Sequence, residues 1–279
     1  GLGYHFDGVI ALSGCDKTIP GTVMALARLD RPSLMLYGGS IQPGTHAGQD
    51  ITIQDVFEAV GACAAGRIDE EELSEIEKAA CPGAGACGGQ FTANTMATVF
   101  EAAGISPMGS GTVPATDAAK AEVARGCGRL VVDLVERDVT ARQILSREAL
   151  ENGVAVAVAT GGSTNAVLHL LAVAHEAGVR LTLDDFDRIS ATTPLLADMK
   201  PWGRFVAPDL HRAGGVALVA RRLLEGGYLK GDTLTVTGQT LSGEVSDAEE
   251  AVGQEVVRSI EDPIKDRGGL IVLRGNLAP

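Results

Sequence analysis

The chain has 279 residues, of which 45% are hydrophobic, 21% charged and 4% aromatic. This length exceeds the usual single domain, so one large domain plus part of a second is expected, and the apolar share excludes a disordered chain. A formal net charge of −13 argues against nucleic acid and anionic membranes as partners, and no apolar run approaches the roughly 18 residues of a spanning helix.

The run Phe6 to Leu12 (FDGVIAL) reads as a buried strand, broken by Ser13-Gly14-Cys15-Asp16-Lys17 before an apolar helix from Gly21 to Leu29. Ser33 to Tyr37 (SLMLY) supplies a second strand ending at Gly38-Gly39, and Thr52 to Ala65 has helical periodicity. Alternation of this kind, with 36 glycines and few aromatics, predicts an α/β fold with a parallel sheet in αβα layers. Glu70 to Ala80 is an acidic helix leading into the loop CPGAGACGG, which places that loop at the N-terminus of a helix from Phe91 to Ala103. A third strand-loop-helix unit is expected from Val154 to Ala159, Gly161 to Asn165 and Ala166 to Ala177.

From Asp232 the pattern changes to alternation (TLTVTG), and Leu270 to Leu273 (LIVL) reads as a further strand. A boundary near Gly226 to Gly231 divides an α/β domain, 1–228, from 229–279, a linker and the beginning of a β-rich C-terminal domain with too few strands to bury a face. The chain opens without Met and stops just after an apolar run, so it is expected to be the central part of a longer protein. The N-terminus has no basic-then-apolar signal layout, which points to the cytoplasm. Five cysteines form an odd set that favours thiols or metal ligands over disulfides.

Cys15, Asp16 and Lys17 follow a strand end, at the edge where open α/β sheets bind ligands. Cysteine suits iron-sulfur clusters and aspartate suits Mg²⁺, so neighbours can serve two metals; the plainer alternative is a buried thiol beside a surface ion pair. Cys87 precedes a helix whose dipole is expected to favour its thiolate. Gly83-x-Gly85-x-x-Gly88 has dinucleotide-fingerprint spacing but follows an acidic helix rather than a strand, and Cys81 with Cys87 lacks the second pair of a zinc site. Ser163, Thr164 and Asn165 offer a substrate carboxylate hydroxyls and N–H groups, the alternative being helix capping. His169 and His175 read as packing residues, and Cys63 and Cys127 as small buried ones.

At these residues the sequence resembles the dihydroxy-acid dehydratase family, within a wider group that includes sugar-acid and phosphogluconate dehydratases. The resemblance is carried by GCDKTIPG (Gly14 to Gly21), RPSLMLYGGSIQPG (Arg31 to Gly44), CPGAGACGGQFTANTM (Cys81 to Met96), ATGGSTNAVLHLLA (Ala159 to Ala172) and TPLLADMKPWGR (Thr193 to Arg204). It implies a cluster held by three cysteines, two of them Cys15 and Cys87, and Mg²⁺ held by Asp16 and by Lys17 as a carbamate. Cys87-Gly88-Gly89 resembles the 2Fe-2S branch rather than the 4Fe-4S one, and Gln90 stands where the family often has Met, a change expected to reshape a pocket wall. The remaining ligands and the family's serine base are implied to lie outside these residues, so no catalytic base is assigned here and the isolated chain is expected to be inactive. The implied reaction is dehydration of 2,3-dihydroxy-3-methyl acids (2,3-dihydroxyisovalerate, 2,3-dihydroxy-3-methylvalerate) to 2-keto acids in branched-chain amino-acid biosynthesis, by a homodimer acting on a small dihydroxy acid. The alternatives are an aldonic-acid dehydratase on the same site and an iron-sulfur redox sensor.

Overall fold

The computed structural model describes residues 2–277, so Gly1, Ala278 and Pro279 lie outside the described residues. Strands β1 (Val9–Ser13) and β2 (Ser33–Tyr37) pair in parallel, with Val9 opposite Ser33 and Ser13 opposite Tyr37. Helix α1 (Thr18–Leu29) makes the crossover that a parallel pair requires. This is the α/β unit read from the sequence. The first strand is less buried than expected: β2 is buried at every position, whereas Ile10 and Leu12 of β1 are 38% and 70% exposed. Among the described residues β1 pairs only with β2, and its outward face has no cover.

A short antiparallel hairpin, β3 (Gly44–His46) and β4 (Gln49–Ile51), leads into α2 (Ile53–Ala64). Thr52 caps that helix: its hydroxyl accepts from Gln54 N–H at 3.2 Å, while the Asp55 carboxylate accepts from Thr52 N–H at 2.6 Å. The acidic helix α3 (Glu70–Ala79) starts at Asp69, whose carboxylate accepts from Glu72 N–H at 2.9 Å. Helix α4 (Thr92–Ala102) is buried at all of its positions and stops at Gly104, whose φ of 77° suits glycine.

Helices α5 (Ala119–Glu136), α6 (Ala141–Ile144) and α7 (Arg147–Ala159) follow, then α8 (Asn165–Ala177), ended by Gly178 at φ 74°. The strand expected at Val154–Ala159 is therefore the end of α7, and the third strand-loop-helix unit does not form. The Ser146 hydroxyl accepts from Ala149 N–H at 3.1 Å and starts the helix there. Asn152 to Ala159 are all buried, so the run shows no amphipathic period, and its alternating alanines favour a helix.

Helices α9 (Leu183–Thr192), α10 (Ala207–Ala213), α11 (Gly215–Glu225) and α12 (Leu241–Val245) complete the described elements. The strands expected beyond Asp232 are absent among the described residues: TLTVTG makes one bridge, Leu234 to Thr240, and Leu270–Leu273 is irregular. With no neighbouring strand available, alternation alone does not make a sheet. Leu229, Val236, Leu241, Val245, Val256 and Val257 instead join the same buried cluster as β2, α4 and α7. Burying side chains such as Phe100, Met96 and Leu150 contributes about 1.5–3 kcal/mol each. No helix among the described residues is long and apolar enough to cross a membrane.

Candidate metal and cluster site

The β1–α1 turn is closed by one hydroxyl. Thr18 Oγ1 donates to the Cys15 carbonyl at 3.1 Å and accepts from Ser13 Oγ at 2.8 Å, while Ile19 N–H reaches the same carbonyl at 3.0 Å. These bonds leave the Cys15 thiol exposed, donating to Asp16 Oδ1 at 3.3 Å. Lys17 places its backbone N–H 2.9 Å from Asp16 Oδ1 and its ammonium 2.6 Å from Asp16 Oδ2. The ammonium hydrogen bond holds the Asp16 carboxyl below its ordinary range, and Asp16 in turn raises Lys17. Lys17 is thus a cation occupying the carboxylate that a metal would need.

The Cys87 loop is fastened to the segment that leaves β2. Ala86 N–H donates to the Gly39 carbonyl at 2.9 Å, and Ile41 N–H donates to the Ala86 carbonyl at 2.7 Å. Gly85 has φ 133°, and a Cβ there would lie 2.5 Å from the Ile41 backbone, so only glycine fits. The Asn94 amide donates to the carbonyls of Cys87 and Gly89, both at 2.6 Å, and accepts from the Tyr37 hydroxyl at 2.7 Å.

Burial pushes the Cys87 thiol up, against opposing backbone N–H bonds, and the nearby Cys15 and Asp16 push it further. The thiolate expected from the helix dipole is therefore outweighed by desolvation. The two loops lie far apart in sequence but are joined through the exit of β2, where Gly38 N–H donates to the Ser13 carbonyl at 2.8 Å and the Gly39 carbonyl accepts from Ala86 N–H at 2.9 Å. No group of three His, Cys, Asp or Glu side chains among the described residues is arranged to hold a metal ion by itself.

The Gly161–Asn165 loop packs against the start of α4. Ser163 Oγ lies 2.8 Å from Thr92 Oγ1, Asn165 Nδ2 donates to that same oxygen at 2.9 Å, and Ser163 N–H donates to Thr95 Oγ1 at 2.9 Å. A cavity of about 410 Å³ opens here, lined by Thr92, Ser163, Thr164, Gly161 and Trp202 among others. Trp202 donates its indole N–H to the Gly161 carbonyl at 3.2 Å. Ser163 and Thr164 line the cavity, while Asn165 is exposed beside it and is not among the lining residues. Gln90 also lines it, with its amide donating to the Thr98 and Thr160 hydroxyls, each at 3.1 Å, so that part of the wall is held by α4 and by the residue that follows α7.

His169 lies farther along α8, with Nε2 buried and unpartnered; desolvation lowers its pKa and both Asp16 and Lys17 influence it. Cys63 is half-buried, Cys81 exposed and Cys127 buried. Sequence reasoning passed over Tyr37, Asn94, Thr92 and Trp202. The available signal was Asn94 within a helix with no exposed face, where a polar side chain needs partners.

Residues 2–244 match the family model described as Dihydroxy-acid/6-phosphogluconate dehydratase N-terminal. The chain belongs to this family. Its relatives include the dihydroxy-acid dehydratase of Koribacter versatilis (strain Ellin345), 62% identical over 99% of this chain and 48% of the relative. Those of Roseiflexus sp. (strain RS-1) and of a Thermus thermophilus strain are 59% and 54% identical, over 100% and 99% of this chain and 50% of each relative. The chain thus spans about half the length of the curated relatives it matches. Within a dehydratase-family chain, the glycines of CPGAGACGG follow α3 rather than a strand, so they lack the context of a dinucleotide fingerprint.

Proposed function

We propose that this protein is a hydro-lyase that dehydrates 2,3-dihydroxy-3-methyl carboxylic acids, such as 2,3-dihydroxyisovalerate and 2,3-dihydroxy-3-methylvalerate, to 2-keto acids for branched-chain amino-acid synthesis. The observation that carries this reading is 62% identity over 99% of the chain to a protein named dihydroxy-acid dehydratase. The donor set agrees with it: two free thiols and a carboxylate stand on loops joined through the exit of β2.

Cys15 and Cys87 would hold a 2Fe-2S cluster, with 4Fe-4S the alternative, and Asp16 and Lys17 would hold Mg²⁺. Thiols suit the soft iron and the carboxylate suits the hard cation. Burial raises the Cys87 thiol, so that residue favours its anionic form only beside a cation. Lys17 would serve as a carbamate, its deprotonated amine adding to carbon dioxide with loss of a further proton, because the ammonium repels a metal; this would free the Asp16 oxygen that the ammonium now bonds. When bound, the two groups supply Lewis acidity toward the departing C3 hydroxyl and toward the substrate's carboxylate and C2 oxygen.

This chain's own residues would bind and orient. Ser163 and Thr164 would offer hydroxyls from the cavity wall to the substrate carboxylate, and Asn165 holds Thr92 in place beside them on that wall. A second reading, an aldonic-acid dehydratase, draws on Thr92, Ser163 and Thr164, because a polyol needs more polar partners than a branched-chain acid does, whereas Phe91, Pro201, Trp202 and Leu270 of the same wall suit the branched-chain acid. We further propose a homodimer in the cytoplasm, since five free thiols suit a reducing compartment.

The test is 2-keto acid formation by the full-length protein, prepared anaerobically with iron, sulfide and Mg²⁺, on 2,3-dihydroxyisovalerate and a panel of aldonic acids. Preference for dihydroxyisovalerate supports the leading reading and preference for an aldonic acid the second. Cluster uptake without turnover on either would leave a redox sensor.

A further inference from the structure

We infer that Tyr37 and Asn94 are positioning residues that hold the Cys15 and Cys87 loops at a fixed separation. The inference rests on the cluster-site reading only for what the two thiols bind. Tyr37 closes β2 directly opposite Ser13, two residues before Cys15, and the next residue extends the pairing with Gly38 N–H donating to the Ser13 carbonyl at 2.8 Å. The backbone of Tyr37 is therefore locked to the first cysteine loop. Its side chain, with no exposure, carries its hydroxyl to Asn94 Oδ1 at 2.7 Å.

Asn94 completes the link. Its two amide hydrogens go to the carbonyls of Cys87 and Gly89, each at 2.6 Å, so the bonds bracket the loop on both sides of Gly88. One acceptor and two donors are all used, and a flipped amide would set its oxygen against two carbonyls. The orientation of Asn94 is thus dictated by its partners. Lys120 stands over the ring, its ammonium 5.8 Å from the Tyr37 centroid and 2.9 Å from the Ser110 carbonyl. Without the phenol, Asn94 Oδ1 loses its donor, and the part-buried bond from its amide to the Cys87 carbonyl is no longer tied to β2.

A general stabilising role would also make Tyr37 and Asn94 costly to change, so the readout is the relation between the two thiols. The full-length apo-protein, with Cys63, Cys81 and Cys127 replaced by alanine, is treated with dibromobimane, and the bridged residues are identified by mass spectrometry. Tyr37→Phe keeps the ring, and Asn94→Asp keeps the size while setting an oxygen against the two carbonyls. Each is expected to slow Cys15–Cys87 bridging about tenfold. Leu150→Ala, a core variant remote from both loops, is expected to lower the thermal midpoint without slowing it.

After reconstitution with iron and sulfide, the Tyr37 and Asn94 variants should shift the electron paramagnetic resonance spectrum and reduction potential of the cluster, and Leu150→Ala should not. Unchanged bridging and an unchanged spectrum in folded Tyr37→Phe protein would overturn the inference while leaving the cluster reading in place. Slowed bridging in a protein whose unaltered form takes up no iron would uphold the positioning role and remove the cluster.

Discussion

The loop after β1 and the loop after α7 have the same grammar, an apolar run, glycine, small polar residues and an apolar helix, yet they fold in opposite ways. Gly14 to Lys17 forms an open, charged mouth, and a Cβ added at Gly14 would meet nothing within 4 Å. Gly161 to Asn165 packs against α4 with its two glycines buried, and a Cβ at Gly161 would run into the Trp202 indole. The difference comes from what precedes the glycine. A strand at the edge of a two-stranded sheet leaves its exit open, whereas a helix buried all round delivers its exit into the core. Similar local sequence therefore yields an exposed, charged turn in one place and part of a cavity wall in the other.

Several substitutions sharpen or break that contrast, each read as a urea midpoint in unfolding of this chain. Leu150→Ala in α7, where Leu150 has no exposure, should cost about 3–4 kcal/mol through the cavity it leaves. Leu12→Ala in β1, 70% exposed, should stay within about 0.5 kcal/mol; equal losses would mean that α7 and β1 are equally buried. Gly161→Ala, at φ 60°, should cost about 2–3 kcal/mol from a left-handed backbone and the indole clash.

Asp185→Asn should cost about 1–2 kcal/mol, because Asp185 caps α9 and joins it to α7 through Arg147 at 2.5 Å. Burial raises that carboxyl, but bonds from Thr182, Arg147 and Arg188 outweigh it and bring it from 3.8 to about 2. The folded value lies below the unfolded one, so this contribution is complete above pH 3.8 and drains away as pH falls through about 2. The variant should flatten the acid limb in that window, and an unchanged limb would refute the assignment. Gly14→Ala should have the smallest effect, within about 0.5 kcal/mol.

Much of the helical scaffold was legible because its ends carry local chemistry. Thr52 and Asp69 cap α2 and α3, and Gly104 and Gly178 stop α4 and α8. The alternation at Thr233–Gly238 misled because a strand exists only with a partner, and VAVAVA misled because burial on every side erases periodicity. At the candidate site, Cys15, Asp16, Lys17 and Cys87 stand out by residue chemistry alone. Tyr37 and Asn94 do not, since the bond between them joins β2 to α4.

Trp202 is the one tryptophan in this chain. Standing 42% exposed at the mouth of the Ser163 cavity, its indole is a built-in luminescent gauge. A molecule that enters and displaces water from the ring should draw the emission toward the blue, so occupancy of this wall can be followed by light without attaching a label.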